Sequence, residues 1–212
     1  MLRTYFYKLT TDDGGAPCVK DGLLSLAICK PMIRSTAKEG DLIFGFAANS
    51  SHSDNRLLYI ARVTDKLPDG FYYITGKFTR REDCIYQKHG DRFEWRPGSL
   101  HHGEGDLAHD LGRYPYYERA NVLLSDDFRY FGINGTADYK SNYPLIKTAV
   151  ETLGQGHRVH HGEALRQQLH AFMRQVWKEI REKEAGRRTS GPRRGACHRS
   201  RSCGILDEPD GL

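Results

Sequence analysis

The stretch EGDLIFGFAANSSHSDNRLLYIARVT, running from Glu39 to Thr64, decides the fold. Two apolar runs, Asp41 to Ala48 and Arg56 to Val63, flank a polar loop of Asn49, Ser50, Ser51, His52, Ser53, Asp54 and Asn55. Apolar runs bounded by Asn, Asp, Ser and Gly clusters are strand signals, and this connector is too long for a two-residue hairpin turn. The reading is two core strands joined by an exposed polar loop. In the first strand Leu42, Phe44 and Phe46 share a bulky face, whereas Ile43, Gly45 and Ala47 share a smaller one that lets a backbone or a flat ligand approach closely.

Working outward, Thr4 to Leu9 reads as an aromatic strand, and Asp21 to Cys29 as a short helix capped by Asp21 and stopped near Pro31. A second helical piece spans Met32 to Ala37, and Phe71 to Phe78 reads as an aromatic strand behind the turn at Leu67-Pro68-Asp69-Gly70. The region from Asp83 to Tyr117 keeps no sustained apolar period, as expected of long functional loops. Ala120 to Leu124 is a further strand. Pro144 opens a helix that Gly154 closes, and Leu165, Leu169, Phe172, Met173, Val176, Trp177 and Ile180 repeat at helical spacing along a last helix whose stripe belongs to the core.

The 212 residues, 38% of them apolar, suit one domain over residues 1–184. Six arginines and no acid lie between Gly186 and Leu206, so residues 185–212 read as a disordered basic tail that attracts polyanions. The N-terminus lacks a signal-peptide pattern and no apolar run reaches 18 residues, which predicts a soluble cytoplasmic protein without membrane contact. Five scattered cysteines without a C-x-x-C pair argue against disulfides and a thiolate zinc site.

Several short pieces in order carry a resemblance over roughly residues 2–180: YFYKLT from Tyr5, CKPMIR from Cys29, GDLIFGF from Gly40, LLYIARVT from Leu57, RREDCIY from Arg80, HDLG from His109, NVLLSDDFRYFG from Asn121 and GHRV from Gly156. The chain resembles the nucleotide-modification-associated domain family of the second type. Its GD-plus-apolar strand and IARV strand also look like the wider PUA, ASCH, EVE and YTH group. That resemblance implies an α+β fold with a mixed, barrel-like sheet and packing helices. It further implies a role in DNA modification, with nucleic acid as partner and a modified base recognised without catalysis.

Reading one base takes a flat slot, stacking aromatics, edge-reading amides or hydroxyls, and cations for phosphates. The candidate ligand-binding residues are Tyr7, Asn49, Ser50, Asn55, Arg56, Tyr73 and Trp95, and the candidate phosphate contacts are Lys30, Arg34 and Arg80, with Arg81 beside them. The competing reading is an enzyme of nucleotide or base modification built on the His101 to Asp110 segment, with His102, His109 and Asp110 serving Cys84 as nucleophile. A structural partner of a modification or restriction complex is the third. Walker, G-x-G-x-x-G, deaminase and H-E-x-x-H patterns are absent, so neither cofactor nor metal is expected.

Overall fold

The computed structural model describes residues 2–154 and 156–188. In chain order these form β1 (Thr4–Leu9), β2 (Cys18–Lys20), β3 (Leu23–Leu26), α1 (Pro31–Thr36), β4 (Leu42–Ala47), β5 (Leu57–Arg62), β6 (Asp65–Leu67), α2 (Phe71–Ile74), β7 (Tyr86–His89), β8 (Arg92–Trp95), α3 (Leu107–Leu111), β9 (Val122–Ser125), β10 (Asp127–Tyr130), α4 (Tyr139–Asn142), α5 (Pro144–Glu151), β11 (His157–Arg158) and α6 (Glu163–Arg188). The chain divides into two compact units, residues 1–177 and 178–212, and the first of them holds every sheet and both cores. Helix α6 continues past residue 184 to Arg188, and the rest of the expected tail lies outside the described residues. Among the described residues no helix is long and apolar enough to cross a membrane.

The central strands form as their pattern dictates. A mixed sheet runs β10-β5-β4-β1-β11, with β4 antiparallel to β5 and parallel to β1. A second sheet runs β2-β3-β9-β6, all antiparallel, and β7 pairs with β8 as a hairpin. The fold is α+β, but none of these sheets closes into the barrel that the resemblance implied.

Two cores sandwich the second sheet. Tyr5, Tyr7, Leu9, Ile43 and Tyr59 of the first sheet pack against Leu24, Leu26 and Leu123 of the second. On the opposite side Val122 and Leu124 join Tyr72, Tyr73, Tyr86, Phe93 and Leu111. Beyond the other face of the first sheet, Phe44 and Phe46 meet Phe172 of α6 and Tyr139 of α4. Along α6 Leu165, Leu169, Phe172, Met173 and Val176 are buried, whereas Trp177 is half-buried and donates its indole N–H to Asp127.

Three expectations are corrected. Asp21 to Cys29 holds no helix, because Asp21 and Gly22 both take positive φ, 51° and 73°, the geometry of a two-residue hairpin turn joining β2 to β3. Phe71 to Phe78 is not a strand: Tyr72 and Tyr73 are both buried while Phe71 and Ile74 are exposed, a pattern that one helical turn satisfies and alternation does not. The small face at Gly45 admits no ligand either. A Cβ there would stand 2.2 Å from the Tyr59 ring, so the missing side chain makes room for that tyrosine, whose hydroxyl meets that of Tyr7 at 2.9 Å. The irregular middle, for its part, contains the β7–β8 hairpin and α3, with Tyr86 facing Trp95 across the hairpin.

Candidate functional site

After β3 the chain runs through Ala27 and Ile28, both buried, into a tight turn at Cys29 and Lys30 before Pro31 opens α1. Both turn residues adopt left-handed backbone, φ 56° at Cys29 and 43° at Lys30. Such conformations cost free energy in non-glycine residues and persist only where the surroundings hold them. Here Arg34 does so. It is fully buried and donates from Nε to the Cys29 carbonyl at 2.7 Å, from Nη1 to the carbonyls of Arg119 and Asn121, and from Nη2 to that of Asp110. Tyr73 steadies the same approach by donating its hydroxyl to the Ala27 carbonyl.

The turn presents the Cys29 sulfur to His102, whose Nε2 lies 3.1 Å away. His102 Nδ1 is 2.7 Å from Asp110 Oδ2. Asp110 on α3 also accepts the Tyr86 hydroxyl at 2.8 Å and the Cys29 backbone N–H at 2.9 Å, and it faces the Arg34 guanidinium at 3.6 Å. A cysteine, a histidine on its sulfur and a buried carboxylate on the other ring nitrogen form the arrangement of nucleophile, base and orienter. Burial opposes ionisation of Asp110, but the His102 hydrogen bond and the Arg34 charge more than offset it and hold the carboxyl below its ordinary range. The hydrogen bonds to Asp110 and then to Cys29 raise His102 to about 10, against a smaller opposing effect of burial.

The sulfur opens on a cavity of about 260 Å³, small beside the roughly 300–1,000 Å³ usual for ligand pockets and suited to one base- or sugar-sized group. Tyr7, Leu9, Thr10, Lys30, His101 and His102 are among its lining. His101 Nε2 is buried there without a hydrogen-bond partner.

The residues singled out from the sequence are distributed unevenly around this centre. Tyr7 and Lys30 line the cavity. Of the enzymatic set, His102 and Asp110 converge, but Cys84 and His109 do not join them. Cys84 is buried beside Arg96, and burial first of all pushes its thiol up to about 11; His109 is exposed on α3. The polar loop turns inward on itself. Asn55 is buried and donates to the Ala47 carbonyl and to Asn49, Asn49 also accepts from Lys8, and Arg56 pairs with Asp54; Ser50 is exposed. Trp95 packs half-buried against the second core. Arg34 and Arg81 cannot reach phosphate, since both are buried and saturated, Arg81 by the carbonyls of Cys18, Lys20 and Leu23. Arg80 is exposed and lines a separate open cleft with Lys20 and Lys77.

Cys29 is the one member of this cluster that composition could not pick out. Its one local signal is a cysteine placed two residues before a helix-opening proline, at the end of an apolar run, where a strand-to-helix turn exposes a side chain on constrained backbone.

A family model described as nucleotide modification associated domain 2 covers residues 1–187. No curated protein and no solved structure matches the chain.

Proposed function

Because the chain belongs to the nucleotide modification associated domain 2 family, we propose that it is an enzyme of nucleotide modification that attacks its substrate through Cys29. The observation that carries the reading is the line from Cys29 Sγ through His102 to Asp110, with contacts of 3.1 and 2.7 Å, whose first two members line a cavity. With the proton held on His102 Nε2, the sulfur attacks an electrophilic carbon of a bound nucleotide and forms an S–C bond. The leaving group departs with the Nε2 proton. A water or acceptor that returns a proton to the now neutral His102 then breaks the S–C bond and frees the cysteine. Asp110 keeps the ring oriented and stabilises its charge throughout.

Lys30 supports a second reading, in which the same cavity only binds a modified base or nucleotide, since a half-buried ammonium in the lining suits charge recognition. Nucleic acid as the carrier of that base is supported by the exposed cations Lys20, Lys77 and Arg80. Kinship with the PUA, ASCH, EVE and YTH group rests on the paired strands β4 and β5.

Alkylation of the full chain by iodoacetamide, followed by peptide mass spectrometry, tests the catalytic reading. Cys29 should react well ahead of the buried Cys18 and Cys84, and His102→Ala should slow it by about 100-fold, in line with the contribution of a positioned acid–base group. Equal rates in the wild type and His102→Ala would leave only the binding reading.

A further inference from the structure

Among the described residues the half-buried lysines have partners, with one exception. Lys8 donates to Asn49, Lys66 to the carbonyls of Ser35 and Ala37, and Lys140 pairs with Glu151. Lys30 is half-buried at the cavity wall, next in sequence to Cys29, and among the described residues its ammonium has no hydrogen bond and no carboxylate. It lies instead over the face of the Tyr7 ring, 5.0 Å from Nζ to the centroid. A buried cation without an anion is costly unless a ligand supplies one.

The acids nearby are already engaged. Asp13, the carboxylate in the lining, accepts the Gly15 N–H and faces His101 at 3.7 Å. Asp12 accepts the Tyr130 hydroxyl, and Asp110 holds His102. Burial lowers the pKa of Lys30, and the neighbouring Cys29 sulfur only partly offsets it. His101 in the same lining faces carboxylates from both ring nitrogens, Asp13 at 3.7 Å and Glu82 at 3.8 Å, and so leaves the anion to Lys30.

We infer that Lys30 binds the phosphate of the substrate, so that Cys29 acts on a nucleotide and not on a nucleoside or a free base. This rests on the catalytic reading for the role of Cys29, but not for the existence of the anion site. Lys30 fixes the phosphate at one wall while the sulfur addresses a carbon of the same molecule. In this role Lys30 selects and positions the substrate and leaves the proton transfers to His102.

Two alkylating agents of similar size and opposite character separate the two ideas. Iodoacetamide is neutral and iodoacetate carries a carboxylate; each forms one S–C bond at Cys29 and releases iodide. The ratio of iodoacetate to iodoacetamide rates should fall about tenfold in Lys30→Met and be kept in Lys30→Arg, and inorganic phosphate should protect the wild type but not Lys30→Met. An unchanged ratio in Lys30→Met, or equal protection, overturns the anion site while leaving the His102 dependence of the iodoacetamide rate intact. Titration calorimetry of adenosine monophosphate and adenosine against Cys29→Ser reads the site without the nucleophile. Tighter binding of the phosphorylated compound, lost in Lys30→Met, supports it, and equal binding of the two compounds contradicts it.

Discussion

Two of the connections that follow strands and place non-glycine residues in left-handed backbone invite comparison: the loop at residues 49–55, with Asn55 at φ 48°, and the turn of Cys29 and Lys30, at 56° and 43°. The loop is far richer in groups that read ligands, yet it uses them on itself. Asn55 closes the loop onto Ala47 and Asn49, its own carbonyl accepts the Tyr139 hydroxyl, and Arg56 returns to Asp54. The turn has two side chains, both of which face a cavity with capacity to spare. Residue type nominates a site, but unspent bonding capacity beside a cavity makes one.

The largest effects that break or sharpen this contrast come from the turn. Cys29→Ala should abolish turnover of any nucleotide substrate, and His102→Ala should lower it by about 10²- to 10⁴-fold, the range of a positioned acid–base group, with the fold intact by circular dichroism. Comparable losses from Asn55→Ala in a protein of normal stability would return the site to the loop.

Arg34→Ala comes next. It removes the guanidinium that faces Asp110 and leaves the carbonyls it serves buried without that donor, and urea unfolding should show a loss of about 3–5 kcal/mol, the usual result of breaking a buried ion pair. A near-neutral variant would mean that the turn holds its left-handed backbone without help. Asn55→Ala should cost about 1–3 kcal/mol for a lost buried hydrogen bond, again by urea unfolding, and leave Cys29 alkylation unchanged. Asn49→Ala, exposed, should fall within about 0.5 kcal/mol of the wild type.

Histidine linkage gives a smaller, pH-dependent effect. His102 is raised in the folded state from its ordinary value near 6.5 to about 10, so the stability it contributes is complete below about pH 6.5 and disappears as pH rises through about 10. The unfolding free energies of wild type and His102→Gln should therefore differ most in mildly acidic buffer and converge in strongly alkaline buffer.

The fold was legible where one physical pattern acted alone. The strands at 41–48 and 56–63 and the stripe of α6 follow from apolar spacing, and their cores form where that spacing puts them. The Asp21-Gly22 hairpin turn was misread because aspartate serves equally as a helix cap and as a left-handed turn residue. His102 and Asp110 were legible as chemistry, eight residues apart. The sulfur they meet was not, because Cys29 is 73 residues from His102 in sequence and meets it only after β3, α1 and α3 have packed. Cys84 stood closer in sequence and became a buried core residue. Arg34 looked like a phosphate ligand for want of any sequence signal that a cation is saturated by distant carbonyls.

The central claim, that Cys29, His102 and Asp110 act as one unit, is tested most directly by titrating the His102 ring in the full chain by NMR. The account predicts that His102 remains protonated through neutral pH with a midpoint at about 10, and that Asp110→Asn and Cys29→Ser each move the midpoint down toward the ordinary histidine range. A midpoint near 6.5 in the wild type, indifferent to both substitutions, would contradict it.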